Sequence, residues 1–151
     1  MIRLRITLLI ALLAALLSAC TRHNGDIGDY FGTWHVETVT ADGVELPLYS
    51  DDGVLVYEWR FQAGFIQIQT IYPHLEYDRC FGTWKEGGGH LLLDFSHSDS
   101  GGVGEYTPPA ALHLSEGVTD MDIITLSSSR LVTAYVDHQG VKYTYHLRKT
   151  Y

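Results

Sequence analysis

Two copies of Phe-Gly-Thr-Trp, at residues 31–34 and 81–84, constrain this chain more than any other feature. A glycine two residues before a tryptophan at a strand opening lets two backbones approach closely, while the large ring closes one end of a β-core. The segments downstream of the first copy are short, rich in β-branched and aromatic residues, and separated by turn signals. Helical periodicity is absent over any useful length, so the pattern predicts an all-β domain.

The strands can be placed in order. Gly32 to Thr40 alternates, with Trp34, Val36 and Val39 apolar, and turns at Ala41-Asp42-Gly43. Val44 to Leu48 is a weak strand broken by Pro47, and Ser50-Asp51-Asp52-Gly53 turns again. Val54 to Gln62 sets Leu55, Tyr57, Trp59 and Phe61 on one face. Ala63-Gly64 then connects it to Phe65–Tyr72 as a hairpin. Asp78 to Lys85 carries the second Phe-Gly-Thr-Trp, and His90 to His97 presents Leu91, Leu93 and Phe95 together. Ser98 to Thr107 reads as a loop, and Pro108-Pro109 as the start of a short helical turn through Leu114. Asp120–Ser127 and Arg130–His138 form a further hairpin. In Val141–Lys149, the residues Val141, Tyr143, Tyr145 and Leu147 alternate with Lys142, Thr144, His146 and Arg148. An antiparallel meander of eight or nine such strands hides its edges best by closing into a barrel.

Residues 1–19 stand apart. Arg3 and Arg5 precede an apolar run from Ile6 to Leu17, which ends in Leu17-Ser18-Ala19-Cys20. This is the pattern of a cleaved secretory leader, and the run is shorter than the ~18–20 residues a spanning helix needs. Leu-Ser-Ala-Cys resembles the bacterial lipobox. That resemblance implies cleavage before Cys20, attachment of diacylglycerol to its thiol, acyl chains such as palmitate, and location in the cell envelope. Two or more chains anchor a protein stably to a membrane without spanning it. Thr21, not aspartate, follows the cysteine; by resemblance to the sorting rule of enteric bacteria this favours the outer membrane. Residues 20–29 form a polar tether, and residues 30–151 the folded domain.

Loss of the leader removes two basic residues and no acidic ones, taking the net charge from −8 to −10. Nucleic acid as a partner is excluded by this balance, since its phosphates demand clustered Lys and Arg. The same balance opposes electrostatic adhesion to anionic lipid and leaves anchoring to the acyl chains. With Cys20 acylated only Cys80 remains, so no internal disulfide forms, and Cys80 reads as a small buried hydrophobe.

Gly32-Thr33-Trp34, Gly82-Thr83-Trp84, Ile124-Thr125-Leu126-Ser127 and the closing Arg148-Lys149, in this order behind a lipobox, resemble the lipocalin-like lipoproteins of Bacteroidota. The likeness spans residues 30–150 and implies an eight-stranded, lipocalin-like β-barrel. In such barrels the tryptophan plugs the closed end and a basic side chain of the last strand lies over it. The resemblance thereby gives Gly32, Trp34 and Arg148 the barrel-closing role.

An eight-stranded barrel has room for its own side chains or for one small ligand. Tyr57, Trp59, Phe61, Phe95, Tyr143 and Tyr145 are the candidate inward positions, and rings with polar tips suit a small hydrophobic or amphipathic molecule. The competing reading is that these rings only pack the core. The barrel is then a scaffold whose turns, notably Ser98–Tyr106 and His74–Asp78, bind an envelope protein. The histidines lie one per element, without the local pairing that metal sites favour, so neither metal nor cofactor is expected. Asp120 and Asp122 share a strand face, as solvated carboxylates or a weak calcium site. No nucleophile motif is present, and Asp94 or Glu58 would serve as a general acid only with a perturbed pKa; the expectation is a non-enzyme.

Overall fold

The computed structural model describes residues 27–48, 56–97 and 106–151. The leader, Cys20, the Ser50–Gly53 turn and most of the Ser98–Tyr106 loop lie outside those residues. Nine strands follow in order: β1 (Gly32–Ala41), β2 (Val44–Glu45), β3 (Val56–Gln62), β4 (Phe65–Ile71), β5 (Tyr77–Gly87), β6 (His90–Asp94), β7 (Val118–Leu126), β8 (Arg130–Val136) and β9 (Lys142–Lys149). All pairings between these strands are antiparallel between neighbours, and β9 returns to pair with β1. Eight strands therefore close a barrel, with β2 as a two-residue flap on β1. The predicted meander and its closure are both present.

Local chemistry explains the boundaries. Asp42 and Gly43 both take positive φ, 48° and 84°, as a two-residue hairpin turn of matching twist requires. Pro47 limits β2 to two residues. β6 stops at Asp94, three residues earlier than its alternation predicts, because Asp94 Oδ1 accepts hydrogen bonds from the Ser96 amide at 2.9 Å and the Ser96 hydroxyl at 2.6 Å. Those bonds turn the chain and hold the Asp94 carboxyl below its ordinary pKa. β1 and β7 each carry a bulge, between Val36 and Thr38 and between Ile123 and Thr125. After each bulge the inward face resumes one residue later, so Val36 and Val39 are both fully buried.

The two ends of the barrel differ. Tight turns at Ala63-Gly64, Gly88-Gly89 and residues 127–129 join strands at one end, where β1 begins and β9 finishes. At the other end the described connections are longer, as at residues 72–76, 108–117 and 137–141. The first end is the floor. Trp34 is fully buried there, its indole Nε1 donating to the Tyr30 carbonyl at 2.8 Å, and Tyr30 packs on Phe61 and Trp84 with ring centroids 5.2 and 4.9 Å apart. The basic residue over Trp34 is Lys149, with Nζ 4.7 Å from the ring centroid, and not Arg148. Strand parity is the reason: Trp34 and Lys149 are register partners on the inner face, so Arg148 points outward, where its Nε meets Glu37 at 2.6 Å. The desolvation that accompanies Lys149's position lowers its pKa. Gly32 keeps its closing role: its φ is +126°, and the Thr33 amide beside it donates to the Tyr151 carbonyl at 3.0 Å.

Candidate mouth cleft

The site assembles at the open end from β7, β8, β9 and the connection that precedes β7. Within that connection Ala110–Leu112 forms a single 3-10 turn, and His113 ends it in the left-handed conformation with φ 53°. Pro108-Pro109 thus does start a short helical turn, as predicted. Leu112 drops into the barrel core and is fully buried. Two tyrosines of the barrel wall hold it there: the Tyr145 hydroxyl donates to the Leu112 carbonyl at 2.7 Å, and the Tyr135 hydroxyl donates to the His113 carbonyl. Burial pushes both phenols above their ordinary pKa, Tyr145 far above it, so both remain donors at neutral pH.

Above this strap the imidazole of His113 stacks on Tyr143 with centroids 5.0 Å apart and planes 15° apart. Tyr143 stacks on Tyr135 at 5.5 Å and 22°, and Tyr135 faces Tyr145 at 6.3 Å and 18°. The rings form one wall of an open cleft of about 490 Å³, within the range usual for small-molecule sites. Leu114, Val118 and Val136 add apolar surface, and Ser115, Asp120, Asp137 and His138 add polar groups. Two of those carboxylates already carry structural loads. Asp137 Oδ1 accepts from the amides of Gln139 and Val141 at 2.8 and 2.9 Å, closing the β8–β9 turn. Asp120 Oδ1 lies 3.0 Å from His90 Nδ1, with Asp122 3.5 Å from the same nitrogen.

Of the six predicted ring positions, only Tyr143 lines this cleft. Tyr57, Trp59, Phe61, Phe95 and Tyr145 face inward as expected and are buried in one core cluster. Their contacts continue the stack downward: Trp59 lies 5.6 Å from Tyr145 and 6.4 Å from Phe61, and Phe61 lies 5.0 Å from Trp84. An unbroken column of aromatic rings thus runs from the mouth to the floor. Within it Trp59 Nε1, Trp84 Nε1 and the Tyr30 hydroxyl are buried with no hydrogen-bond partner among the described residues, which makes the interior short of acceptors. Tyr135, His113 and His138 escaped the sequence reading. Their signal was faint: Tyr135 alternates in phase with Leu131 and Thr133, which marks it as inward-facing, but nothing local shows that His113 will fold over Tyr143.

Cys80 is buried opposite Ile68 on β4, in keeping with its reading as a small hydrophobe. Among the described residues no three metal-ligating side chains converge.

The strap gives a direct test. Tyr145→Phe removes the donor to a buried carbonyl and keeps the ring; leaving such a group unsatisfied costs ~1–3 kcal/mol. Denaturant unfolding should register that loss, and hydrogen exchange should rise selectively in residues 108–114. A variant with unchanged stability and exchange would show that the strap holds nothing.

No protein-family model matches the chain, and no curated protein does. Several solved structures align over most of it. A lipocalin-like protein from Bacteroides uniformis ATCC 8492 shares 18% identity at a TM-score of 0.52, covering 81% of this chain and 99% of its own. An uncharacterized protein from Bacteroides eggerthii DSM 20697 shares 14% identity at a TM-score of 0.50, covering 80% of this chain and 98% of its own.

Proposed function

We propose, starting from the lipocalin-like fold of this chain, that it is an envelope lipoprotein, tethered through lipidated Cys20, that binds a small amphipathic molecule without transforming it. The observation that carries the binding role is the mouth cleft, a stacked His113–Tyr143–Tyr135 wall facing a rim of hydroxyl, imidazole and carboxylate groups. Flat aromatic faces bury apolar area with little loss of side-chain entropy, while the rim orients a polar head. The five buried rings lie beneath that wall and do not line the cleft. Asp137 is engaged in closing the β8–β9 turn, which at that group favours binding over acid–base work. The leader and its lipobox support the anchored location, at the outer membrane.

Native mass spectrometry of the mature protein, extracted gently from its own host's envelope, tests the proposal. A co-purifying small molecule is expected, and Tyr143→Ala should lose it by removing the central ring of the wall. A bare mass under conditions that preserve known lipocalin complexes would refute ligand binding. That outcome would favour the scaffold reading, which draws on the packed interior of the barrel, and crosslinking to an envelope protein partner would follow.

A further inference from the structure

We infer that the floor of the barrel rests on the surface of the bilayer that holds the anchor, with the mouth turned toward the aqueous side; this rests on the lipid-anchor reading above. The first observation is where the chain enters the fold. Ile27 packs against the core, and the Gly28–Tyr30 turn leads directly into the floor end of β1. Cys20 is seven residues before Ile27, so even a fully extended chain keeps the floor within about 25 Å of the acylated residue. The mouth lies a further barrel length away.

The second observation is the distribution of charge. Around the mouth Asp42, Glu45, Glu76, Asp78, Asp94, Glu116, Asp120 and Asp137 face Arg79 and Lys142 as the counter-charges among the described residues. Toward the floor Arg60, Lys85, Arg130, Arg148 and Lys149 balance Asp29, Glu37, Glu58, Glu86 and Asp122, with Arg60 and Arg148 directly paired to Glu58 and Glu37. Among the described residues the net negative charge therefore lies toward the mouth. An anionic lipid surface repels that end and tolerates the near-neutral floor. This refines the expectation from composition alone, which treats the charge as if it were spread evenly.

The third observation is aromatic. The floor exposes Phe65, 64% accessible in the β3–β4 hairpin, together with Phe31 just before β1 and Tyr151 at the chain end. Phe65 lines one cleft with Arg60, Gln67 and Phe81 and another with Phe81, Thr83, His97 and Tyr106, so its exposed ring has polar groups on two sides and can enter the interfacial region. The mouth also exposes apolar residues, among them Val44, Leu75, Tyr77, Val118 and Val136, but acidic side chains are interspersed with them: Glu45 follows Val44, Glu76 lies between Leu75 and Tyr77, and Asp137 follows Val136. A mouth held away from the bilayer takes its ligand from the aqueous phase.

The test uses the mature acylated protein in vesicles of phosphatidylcholine and phosphatidylglycerol that carry a lipid-borne nitroxide. A fluorophore is placed at Phe65→Cys or at Leu75→Cys, Cys80 being shielded by burial. Quenching at position 65 should exceed that at position 75 several-fold; equal or reversed quenching would overturn the orientation. Phe31→Cys serves as a second floor site if Phe65→Cys fails to fold. Shielding at 65 that depends on the protein-to-lipid ratio would assign the face to a second copy and reject the bilayer. The mass of the protein separates the two layers of the argument. An acylated chain with an unquenched floor refutes the docking alone, and an unacylated Cys20 refutes the anchor and the docking with it.

Discussion

Replacing Trp34 with alanine is expected to destabilise the domain by about 3–5 kcal/mol, the range for deleting a large buried ring. Three contacts make this residue costly to lose. Its ring is fully buried, its indole N–H satisfies the Tyr30 carbonyl at 2.8 Å, and the Lys149 ammonium sits 4.7 Å from its centroid, a contact of ~1 kcal/mol when partly desolvated. Truncation empties the floor, strands the Tyr30 carbonyl and leaves Lys149 over a void. Because Tyr30 also packs on Phe61 and Trp84, the damage spreads to the base of the aromatic column. Trp34→Phe should recover most of the packing but not the hydrogen bond, and so fall between wild type and Trp34→Ala. Urea unfolding of all three proteins gives the comparison; a loss below about 1 kcal/mol for Trp34→Ala would show that the floor is held by other contacts.

Gly32→Ala should be nearly as damaging, at about 3 kcal/mol, although it adds only one carbon. Two causes add. A φ of +126° is a conformation side chains rarely adopt, with a strain of ~1–3 kcal/mol. A Cβ at this site would also collide with the carbonyl oxygen of Tyr151 and stand 3.0 Å from its carbon. The collision forces the chain end away and breaks the Thr33–Tyr151 bond, worth ~1 kcal/mol. Deleting Tyr151 separates the causes, since the shortened chain keeps the backbone strain and loses the clash. Gly32→Ala should therefore cost less in that background than in the full chain. Gly87→Ala is the control: nothing lies within 4 Å of its added carbon, and its effect should stay within about 0.5 kcal/mol. Equal costs at Gly32 and Gly87 would remove Gly32 from any closing role.

The barrel was legible because its signals are local. Alternation in Tyr57–Phe61, Leu91–Phe95 and Tyr143–Leu147, with Asp-Gly, Ala-Gly and Gly-Gly between segments, names each strand and its inner face. Alternation also contained the answer to which basic residue covers Trp34: Lys149 shares the odd-numbered phase of Tyr145 and Leu147, and Arg148 does not. The spacing of three from Val36 to Val39 likewise announces the β1 bulge to a reader who expects a period of two. The mouth cleft was not legible. Its wall comes from β8, β9 and a connection reached only after β6, and His113 meets Tyr143 because Leu112 is buried, a tertiary event with no short-range signature. The interior rings were placed correctly by phase, yet phase cannot say whether facing rings touch or leave a space between them.

The seam between β1 and β9 also governs when this protein can fold. Trp34 pairs with Lys149, and Thr33 exchanges backbone hydrogen bonds with Thr150 and Tyr151, so the first strand waits for residues 149–151 to be made. Contacts of such sequence separation raise the entropic barrier to closure and slow folding. Until β9 has been made, β1 is an unpaired edge along one of its sides, and no fragment that lacks β9 can complete the cylinder. A chain exported as proposed above would turn this delay to use, because it stays threadable through a narrow translocation pore until residues 149–151 have been added.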